Sequence, residues 1–333
     1  MSKPKYHHLI PQVYMKEWCY EYNKIYIVDK ENKYNVLSKD IENFGGIKHF
    51  YTIKPGKCFA PHDYLKDIYN SLDRYIIIYE GKKLVSLREY NSKFYDYDNW
   101  CILDNNKHKI SKKEKNIIKQ AIEQNRNFDI ENLWDRKYET KWKNILKVIN
   151  QKINNTSDKY IDEFYKALLM KWIVSLDWRG FETNKTFQEI FNFIMVKIGI
   201  KKDDEDLKYI YEELRHELLL RYFYEFLNND GLIYGTAKYY IHNATIVFLK
   251  APNNIEFITS DNPSFTYTKN GLNHHIMPIS PKTLICIAKD KNHKNKYLVK
   301  EINRNEVKEY NRIIKDNSFR YLITKNINIK ELL

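Results

Sequence analysis

Two short segments near the C-terminal end decide the fold: Phe257-Ile258-Thr259-Ser260-Asp261-Asn262-Pro263 and Met277-Pro278-Ile279-Ser280-Pro281. In the first, an apolar run leads into Ser-Asp-Asn-Pro, which predicts a buried strand with an acid and an amide at its tip. Pro263 lacks a backbone donor and biases Asn262 toward an extended or turn conformation, so the strand must end there. A strand tip is a rigid place from which to aim polar groups at a ligand. The alternative is an Asx-turn, in which Asp261 or Asn262 caps its own backbone.

Around these segments, the pattern predicts strands at both ends of the chain and helices between them. Apolar residues three and four apart fill most of 111–228, whereas short β-branched and aromatic runs dominate 1–60 and 232–333. We therefore expect an α+β fold, in which an antiparallel sheet is built from the N- and C-terminal segments and a large central helical insertion separates them. We expect residues 1–333 to form a single domain.

Individual elements follow from the same periodicities. The predicted strands are 24–28, 34–37, 49–53, 239–242, 244–249, 255–259, 276–279, 283–288 and 321–324. The predicted helices are one that begins at Pro11 and those over 61–79, 111–127, 131–150, 157–179, 186–198, 204–227 and 304–316. Pro11 suits the first turn of a helix, and Ser111 with Glu114 forms a capping box.

Composition narrows the class of protein. The 333 residues are 43% hydrophobic and include 28 Tyr and 16 Phe, which is enough to bury a sizeable core. The net charge of +13 suits a polyanionic partner such as RNA or DNA, although a lysine-rich surface alone has the same charge. The four cysteines are scattered and form no CxxC pair, which favours a reducing cytoplasm. No apolar run reaches the roughly 18 residues of a membrane span, so we expect no membrane association.

Two histidines stand just before the predicted N-terminal helix. His7 and His8 precede Pro11, and imidazoles ahead of a helix N-terminus have lowered basicity. They suit a general base, a metal ligand or a phosphate partner. The alternative is a histidine pair whose hydrogen bonds are satisfied within the packing.

A lone arginine stands where a central helix is predicted to end, in Asp177-Trp178-Arg179-Gly180. A buried or cleft-facing guanidinium binds phosphate or carboxylate with two parallel hydrogen bonds. The alternative is a charge that interacts with the C-terminal end of the helix dipole, which is the more common role of such an arginine.

Taken together, these elements resemble one family, domain of unknown function family 4238. The resemblance is carried by His7-His8-x-x-Pro11-x-x-Tyr14-Met15, Arg179, Phe257–Pro263, Pro278-Ile279-Ser280-Pro281, Tyr310-Asn311-Arg312 and Arg320-Tyr321. It covers nearly the whole chain in the same order. Three positions depart from the family pattern: the family has Leu where this chain has Met15, and Arg-Thr-Pro where it has Arg179-Gly180-Phe181. The resemblance implies an architecture and a set of residues, and it brings no established reaction.

The residue types suit cleavage of a phosphodiester. In this hypothesis His7 or His8 is the general base, and Arg179 stabilises the charge that develops on phosphate. His8 with Asp261 would hold a divalent ion such as Mg²⁺ or Mn²⁺. The catalytic set is therefore His7, His8, Arg179 and Asp261.

Further residues complete the predicted site. Asn262, Asn311 and Arg312 are the candidate substrate-binding residues, with Asn311 orienting the substrate. His274 and His275 follow Asp261 in a stretch that we interpret as a surface loop, and either one could supply the acid. No P-loop, GxGxxG, GxSxG, HExxH or kinase motif occurs, so nucleotide-driven, dinucleotide and common serine or zinc hydrolase functions have little support.

Three functions remain open at this point. The first is a nuclease that prefers RNA, as a toxin or an effector of phage defence. The second is a non-catalytic module that binds nucleic acid through cations and aromatic rings, or that binds a partner protein. In the third, Asp261 and His8 hold the two ends of the sheet together, and substitution of Asp261 lowers the melting temperature by several degrees.

Overall fold

A computed structural model describes residues 6–32, 35–48, 50–51, 55–56, 62–124, 130–154, 159–197, 205–269, 271–288 and 295–333. Its contacts divide the chain into two compact units. The larger unit comprises 6–48, 133–190 and 225–333, and the smaller unit comprises 1–5, 49–132 and 191–224. Every candidate site residue named above belongs to the larger unit.

The described strands alternate with helices at both ends of the chain. They are β1 Tyr6–His8, β2 Lys24–Asp29, β3 Val36–Asp40, β4 Gly46–Lys48, β5 Ile76–Tyr79, β6 Lys82–Leu84, β7 Cys101–Leu103, β8 Tyr160–Asp162, β9 Thr245–Lys250, β10 Thr259–Ser260, β11 Phe265–Lys269, β12 Leu272–Ser280, β13 Thr283–Ala288, β14 Lys296–Glu301 and β15 Tyr321–Thr324.

Most of the described α-helices lie in the central part of the chain, and a few lie near its ends. They are α1 Gln12–Met15, α2 His62–Tyr69, α3 Leu87–Lys93, α4 Lys112–Gln124, α5 Ile130–Trp134, α6 Thr140–Asn154, α7 Lys166–Arg179, α8 Phe181–Lys197, α9 Glu205–Leu227, α10 Gly231–Asn243, α11 Arg304–Asp316 and α12 Ile329–Leu332. A π-helical turn, Asp135–Glu139, joins α5 to α6. Each described helix is too short or too polar to span a lipid bilayer.

The larger unit contains the sheet that the sequence predicts from the two ends of the chain. Its four strands lie in the order β10-β15-β2-β3, and all of their pairings are antiparallel. A six-stranded sheet in the order β11-β12-β13-β9-β14-β8 lies in the same unit, where β9 and β14 pair in parallel. Helix α11 packs on a core formed with strands of both sheets, with Val307 and Ile314 fully buried. The expected α+β class is therefore confirmed.

The smaller unit is built around a three-stranded antiparallel sheet in the order β6-β5-β7. Helices α2 and α4 contribute Leu65, Ile118 and Ile122 to its core, where Tyr97 and Trp100 pack with ring centroids 5.0 Å apart. The Ser111 hydroxyl accepts a hydrogen bond from the Glu114 N–H at 3.1 Å, so the predicted cap of α4 is present.

Four predicted elements were wrong. Of the strand predicted at 255–259, only Thr259 lies in a strand, because the Ile258 N–H bonds to the Asn311 side chain and not to a neighbouring strand. The other three were wrong for one common physical reason. The helix predicted over 61–79 ends early, and Ile76–Tyr79 pairs in the sheet as β5. The helix predicted from 157 begins only at Lys166, after strand β8. The strand predicted at 239–242 is the last turn of α10. Short runs of Ile and Tyr fit either a strand or a buried helix face, and their tertiary partners decide. Of the strand predicted at 49–53, the structure describes residues 50–51 as a turn, and the remainder lies outside the described residues.

One buried amide connects α11 to the segment that leads into strand β10. Asn311 is fully buried, and its Oδ1 accepts a hydrogen bond from the Ile258 N–H at 3.0 Å. Its Nδ2 donates to Glu256 O at 2.9 Å and to Leu332 O at 2.8 Å. Asn311 therefore satisfies three backbone groups and joins helix α11 to two other segments.

We predict that Asn311→Ala destabilises the protein by about 3 kcal/mol, because three buried backbone groups lose their partner. Urea denaturation of the intact protein measures the change. The matched control is Arg312→Ala, since Arg312 is exposed and donates to Leu333 O at 2.9 Å. That variant should stay within about 0.5 kcal/mol of wild type. Equal stability of the two variants would contradict a structural role for Asn311.

Candidate functional site

The carboxylate at the predicted strand tip is used by the fold. Asp261 follows β10 and is 2% exposed. Its two oxygens accept hydrogen bonds from three consecutive backbone N–H groups, those of residues 319–321, at 2.8 to 2.9 Å. Burial raises the pKa of this carboxyl to about 6, although these N–H groups oppose the shift. Asp261 thus caps the start of β15 and not its own backbone. The local turn is closed by Ser260, whose Oγ accepts from the Asn262 N–H at 3.1 Å.

Arg179 and His8 come together, through a contact that holds the fold. The guanidinium of Arg179 donates to His8 O at 2.6 Å and to Glu139 Oε1 at 2.8 Å. It also lies over the Trp134 ring, 4.9 Å from the ring centroid. Arg179 is 2% exposed, and His7 and His8 lie in β1 with 5% and 9% exposure. The arginine that the sequence indicates as a phosphate clamp is therefore bound to a protein carboxylate and a backbone carbonyl.

The residues proposed as metal ligands do not fit Mg²⁺ or Mn²⁺. Both oxygens of Asp261 already accept backbone hydrogen bonds, and His8 Nε2 lies 3.3 Å from Gln12 Nε2. Hard divalent cations prefer several oxygen ligands. Among the described residues, no group of three or more His, Cys, Asp or Glu is placed to hold a metal ion. We therefore assign no metal-binding role to Asp261 and His8.

Asn262 is the member of the predicted set whose bonding is incomplete. It is 4% exposed, and its Nδ2 donates to Asn317 O at 2.9 Å. Its Oδ1 is buried, and no described residue donates a hydrogen bond to it. A Cβ at Gly180 would lie 2.6 Å from that oxygen, so glycine leaves the room that the amide needs. An unpaired buried acceptor is costly in a folded protein.

A cavity of about 750 Å³ opens beside this amide. Its lining residues are Lys30, Glu31, Asp177, Glu182, Thr183, Lys185, Asn262, Phe265, Thr266, Asp316, Asn317, Ser318, Phe319 and Arg320. Arg320 keeps its guanidinium half exposed while Asp29 binds one edge of it at 2.8 Å. The exposed Phe319 ring stacks on Phe181, with centroids 6.0 Å apart. The cavity thus combines three basic and four acidic side chains with an aromatic face, which together suit a polar ligand with a ring system.

Asp177, in the last turn of α7, is the titratable group in this cavity with the strongest perturbation. Its side chain is 26% exposed, and burial raises its pKa to about 7. The Thr183 hydroxyl donates to the Asp177 backbone carbonyl at 2.6 Å and lies 3.5 Å from the carboxylate. A carboxyl whose pKa lies near neutrality can both accept and release a proton at physiological pH.

His275 joins Asp177 to a buried polar network. His275 Nε2 lies 3.9 Å from Asp177 Oδ2 and 2.8 Å from Ser264 Oγ. Its Nδ1 lies 3.3 Å from the Tyr240 hydroxyl, and Ser264 in turn donates to a backbone carbonyl of α7. Burial lowers the pKa of His275 to about 3, so the imidazole is neutral at physiological pH. The interpretation of 274–275 as a surface loop was wrong, because both histidines lie in β12 and His275 is 3% exposed.

Asp177, Ser264 and Tyr240 are site residues that the sequence patterns did not predict. Asp177 stands two residues before Arg179, in a segment that attracted attention only for the arginine. Ser264 directly follows Ser-Asp-Asn-Pro, and its hydroxyl was the available signal. Neither residue type is distinctive by itself, since the pKa of Asp177 depends on burial by segments far away in the chain.

The fold and the cavity define an α+β protein with one candidate acid–base site in its larger unit. The family model described as "Protein of unknown function (DUF4238)" matches residues 6–327. The chain therefore belongs to this family, as the resemblance implies. No curated protein and no solved structure matches it.

We predict that Asp261→Asn lowers stability by about 2–3 kcal/mol and the melting temperature by roughly 5 °C or more. The amide places an NH₂ group or a weaker acceptor against three N–H donors that now bind a carboxylate. Thermal and urea unfolding measure the loss. Asp316→Asn is the control, because Asp316 is an exposed carboxyl at the end of α11. A melting temperature equal to that of wild type would rule out the anchoring role of Asp261.

A second prediction concerns the pH dependence of stability. Because its pKa is raised, folded Asp177 keeps its proton up to about pH 7, whereas the unfolded chain releases it near 3.8. The stabilisation is complete below pH 3.8 and is lost as the pH rises through 7. Asp177→Asn lacks this loss, so its stability relative to wild type should increase between pH 5 and pH 8, by on the order of a few kcal/mol. Urea denaturation of both proteins at each pH measures their free energies of unfolding. A difference between the two proteins that does not change with pH would contradict the prediction.

Proposed function

We propose that this protein is a nuclease-like hydrolase that acts on nucleic acid, with RNA as the favoured substrate. In this proposal Asp177 is the general base that accepts the proton of the attacking hydroxyl. The observation that carries the proposal is a carboxyl whose pKa lies near 7, placed beside the Asn262 amide in a cavity whose lining includes Lys30, Lys185 and Arg320 together with four carboxyl groups. The net charge of +13 supports a polyanionic substrate. His7, His8, Arg179 and Asp261 keep the fold in place in this proposal.

The chemistry follows from the groups in the cavity. Ionised Asp177 accepts the proton of an RNA 2′-hydroxyl, whose oxygen attacks the adjacent phosphorus while the 5′-oxygen leaves and takes a proton from solvent. Lys185 and Arg320 neutralise charge on the phosphate. DNA lacks the 2′-hydroxyl that this scheme requires, which is why RNA is favoured.

The alternative is a non-catalytic module that binds nucleic acid or a partner protein. It is supported by the residues that the sequence singles out, because Arg179 and Asp261 direct their charged groups to protein atoms. In this alternative the stacked ring of Phe319 and the neighbouring Arg320 provide stacking and phosphate contacts without chemistry.

The cellular setting of the proposal is a toxin or an effector of phage defence that works in the cytoplasm. A nuclease that acts on bulk RNA arrests the cell in which it is active. Three cysteines in the described part of the chain are free thiols, which suits a reducing compartment.

We predict that the protein cleaves labelled RNA in preference to single-stranded or duplex DNA, and that Asp177→Asn reduces the rate by 10²-fold or more. Because the carboxylate is the base, the rate of the wild-type enzyme should rise with pH through about 7 and then level off. Proton transfer by Asp177 requires no ion, so cleavage should persist in EDTA. Gel analysis of the products at several pH values measures each effect.

Asp316→Asn is the matched control, because it removes one carboxyl from the same cavity at an exposed position. It should retain activity within a few-fold of wild type. Cleavage by Asp177→Asn at the wild-type rate would exclude Asp177 as the base. Salt-dependent retention of RNA without any cleavage would establish the binding module in place of the enzyme.

A further inference from the structure

A second cavity, of about 650 Å³, lies between helix α10 and the β11–β13 end of the six-stranded sheet. It is lined by Leu232, Gly235, Thr236, Tyr239, Tyr240, Ala244, Thr266, Asn273, His275 and Ile287. No Lys, Arg, Asp or Glu is among these lining residues, and burial keeps His275 neutral. A cavity of this size with an uncharged, partly aromatic lining suits a small neutral ligand and disfavours a phosphate group.

Helix α10 contributes one continuous face to this cavity. Five lining residues stand at positions i, i+3, i+4, i+7 and i+8: Leu232, Gly235, Thr236, Tyr239 and Tyr240. Residues at this spacing share one side of a helix. Leu232 is 61% exposed and Tyr239 is 47% exposed, so apolar and aromatic surface remains open to a ligand.

Gly235 lies within α10, where glycine is unfavourable for the helix. Apart from the backbone of α10 itself, a Cβ built at this residue would meet no atom of the described residues within 4 Å. The packing of the protein therefore does not require glycine there, and the space above its Cα is open. Such a position allows a flat ligand to approach the backbone of the helix closely.

Polar groups are placed among these apolar surfaces. The Tyr240 hydroxyl lies 3.3 Å from His275 Nδ1, and Asn273 Oδ1 accepts a hydrogen bond from Thr268 at 2.8 Å. Thr266 lines this cavity and also the cavity that contains Asp177. His275 links the two through its Nε2, 3.9 Å from Asp177 Oδ2. The second cavity is thus adjacent to the proposed acid–base site.

We propose that this second cavity is a subsite for a nucleobase of the RNA substrate, an inference that rests on the proposed function. A nucleobase is flat and uncharged, stacks on tyrosine rings, and carries donors and acceptors along its edge. Asn273, Thr266 and the Tyr240–His275 pair offer partners for that edge. An aliphatic ligand would make no hydrogen bond to the polar groups of this cavity. Because Thr266 lines both cavities, one nucleotide that places its base here would have its ribose and phosphate near Asp177.

The test uses the four ribonucleosides, because they carry the base and ribose without a phosphate. Calorimetry or NMR titration measures their binding to the intact protein and to Gly235→Leu, Gly235→Ala, Tyr239→Ala and Lys238→Ala. We expect at least one ribonucleoside to bind. Gly235→Leu should weaken its binding by tenfold or more, because the side chain enters open space, and Tyr239→Ala should weaken it about tenfold through lost stacking.

Lys238→Ala is the matched control, since Lys238 is exposed on the same helix and does not line the cavity. It should bind as wild type does. Gly235→Ala favours the helix, so it should stay folded and still weaken binding. If Gly235→Leu does not fold, Gly235→Ala and Tyr239→Ala together still test the proposal.

Two kinds of failure are distinguishable. If the wild type binds no ribonucleoside at millimolar concentration, or if both the Gly235 and the Tyr239 variants bind as wild type does, the base subsite is overturned even where RNA is cleaved. If ribonucleosides bind in a manner that depends on Gly235 and Tyr239 while no RNA is cleaved, the subsite stands and the nuclease proposal fails.

Discussion

The larger unit depends on one carboxylate placed against three backbone N–H groups. Asp261 directly follows strand β10, and residues 319–321, which donate to it, lead into β15. Because β15 lies between β10 and β2, this contact fixes the strand that connects the C-terminal half of the sheet to the N-terminal half. An ion pair between Asp29 of β2 and Arg320 strengthens the same junction. A buried carboxylate holds such a turn better than an amide, because each N–H bond to it is assisted by charge.

The sequence predicted those elements in which local and tertiary preferences agree. Helix α11 and strands β13 and β15 have the predicted bounds, because a strong helical stripe or a continuous buried run is flanked by turn residues. Tyr239-Tyr240-Ile241-His242 predicted a strand from its aromatic and β-branched content, yet it completes a helix whose cavity-facing residues recur every three or four positions. A four-residue window cannot distinguish these periods, whereas the thirteen residues of α10 can.

The site was less predictable than the fold, because its chemistry arises from burial. The residues that look reactive in the sequence, Arg179 and Asp261, direct their charges to the protein itself. Asp177 and His275 look ordinary, and burial raises the pKa of one while it lowers the pKa of the other. Burial therefore favours the neutral forms of both side chains. Their nearest atoms, His275 Nε2 and Asp177 Oδ2, lie 3.9 Å apart, a distance at which an ion pair would be the simple expectation. Sequence spacing carries no information about this, since 98 positions separate the two residues.

The contact between Asp261 and residues 319–321 and the cavity that contains Asp177 share residues, and this determines how variants must be interpreted. The backbone N–H groups that bind Asp261 include those of Phe319 and Arg320, and the side chains of these two residues line the cavity that contains Asp177. Loss of the Asp261 carboxylate releases that backbone and displaces an aromatic ring and a cation together. An Asp261 variant that loses activity therefore does not identify Asp261 as a catalytic residue. Asp177 separates the two roles, because its side chain faces the cavity and its replacement by Asn leaves the anchor of β15 intact.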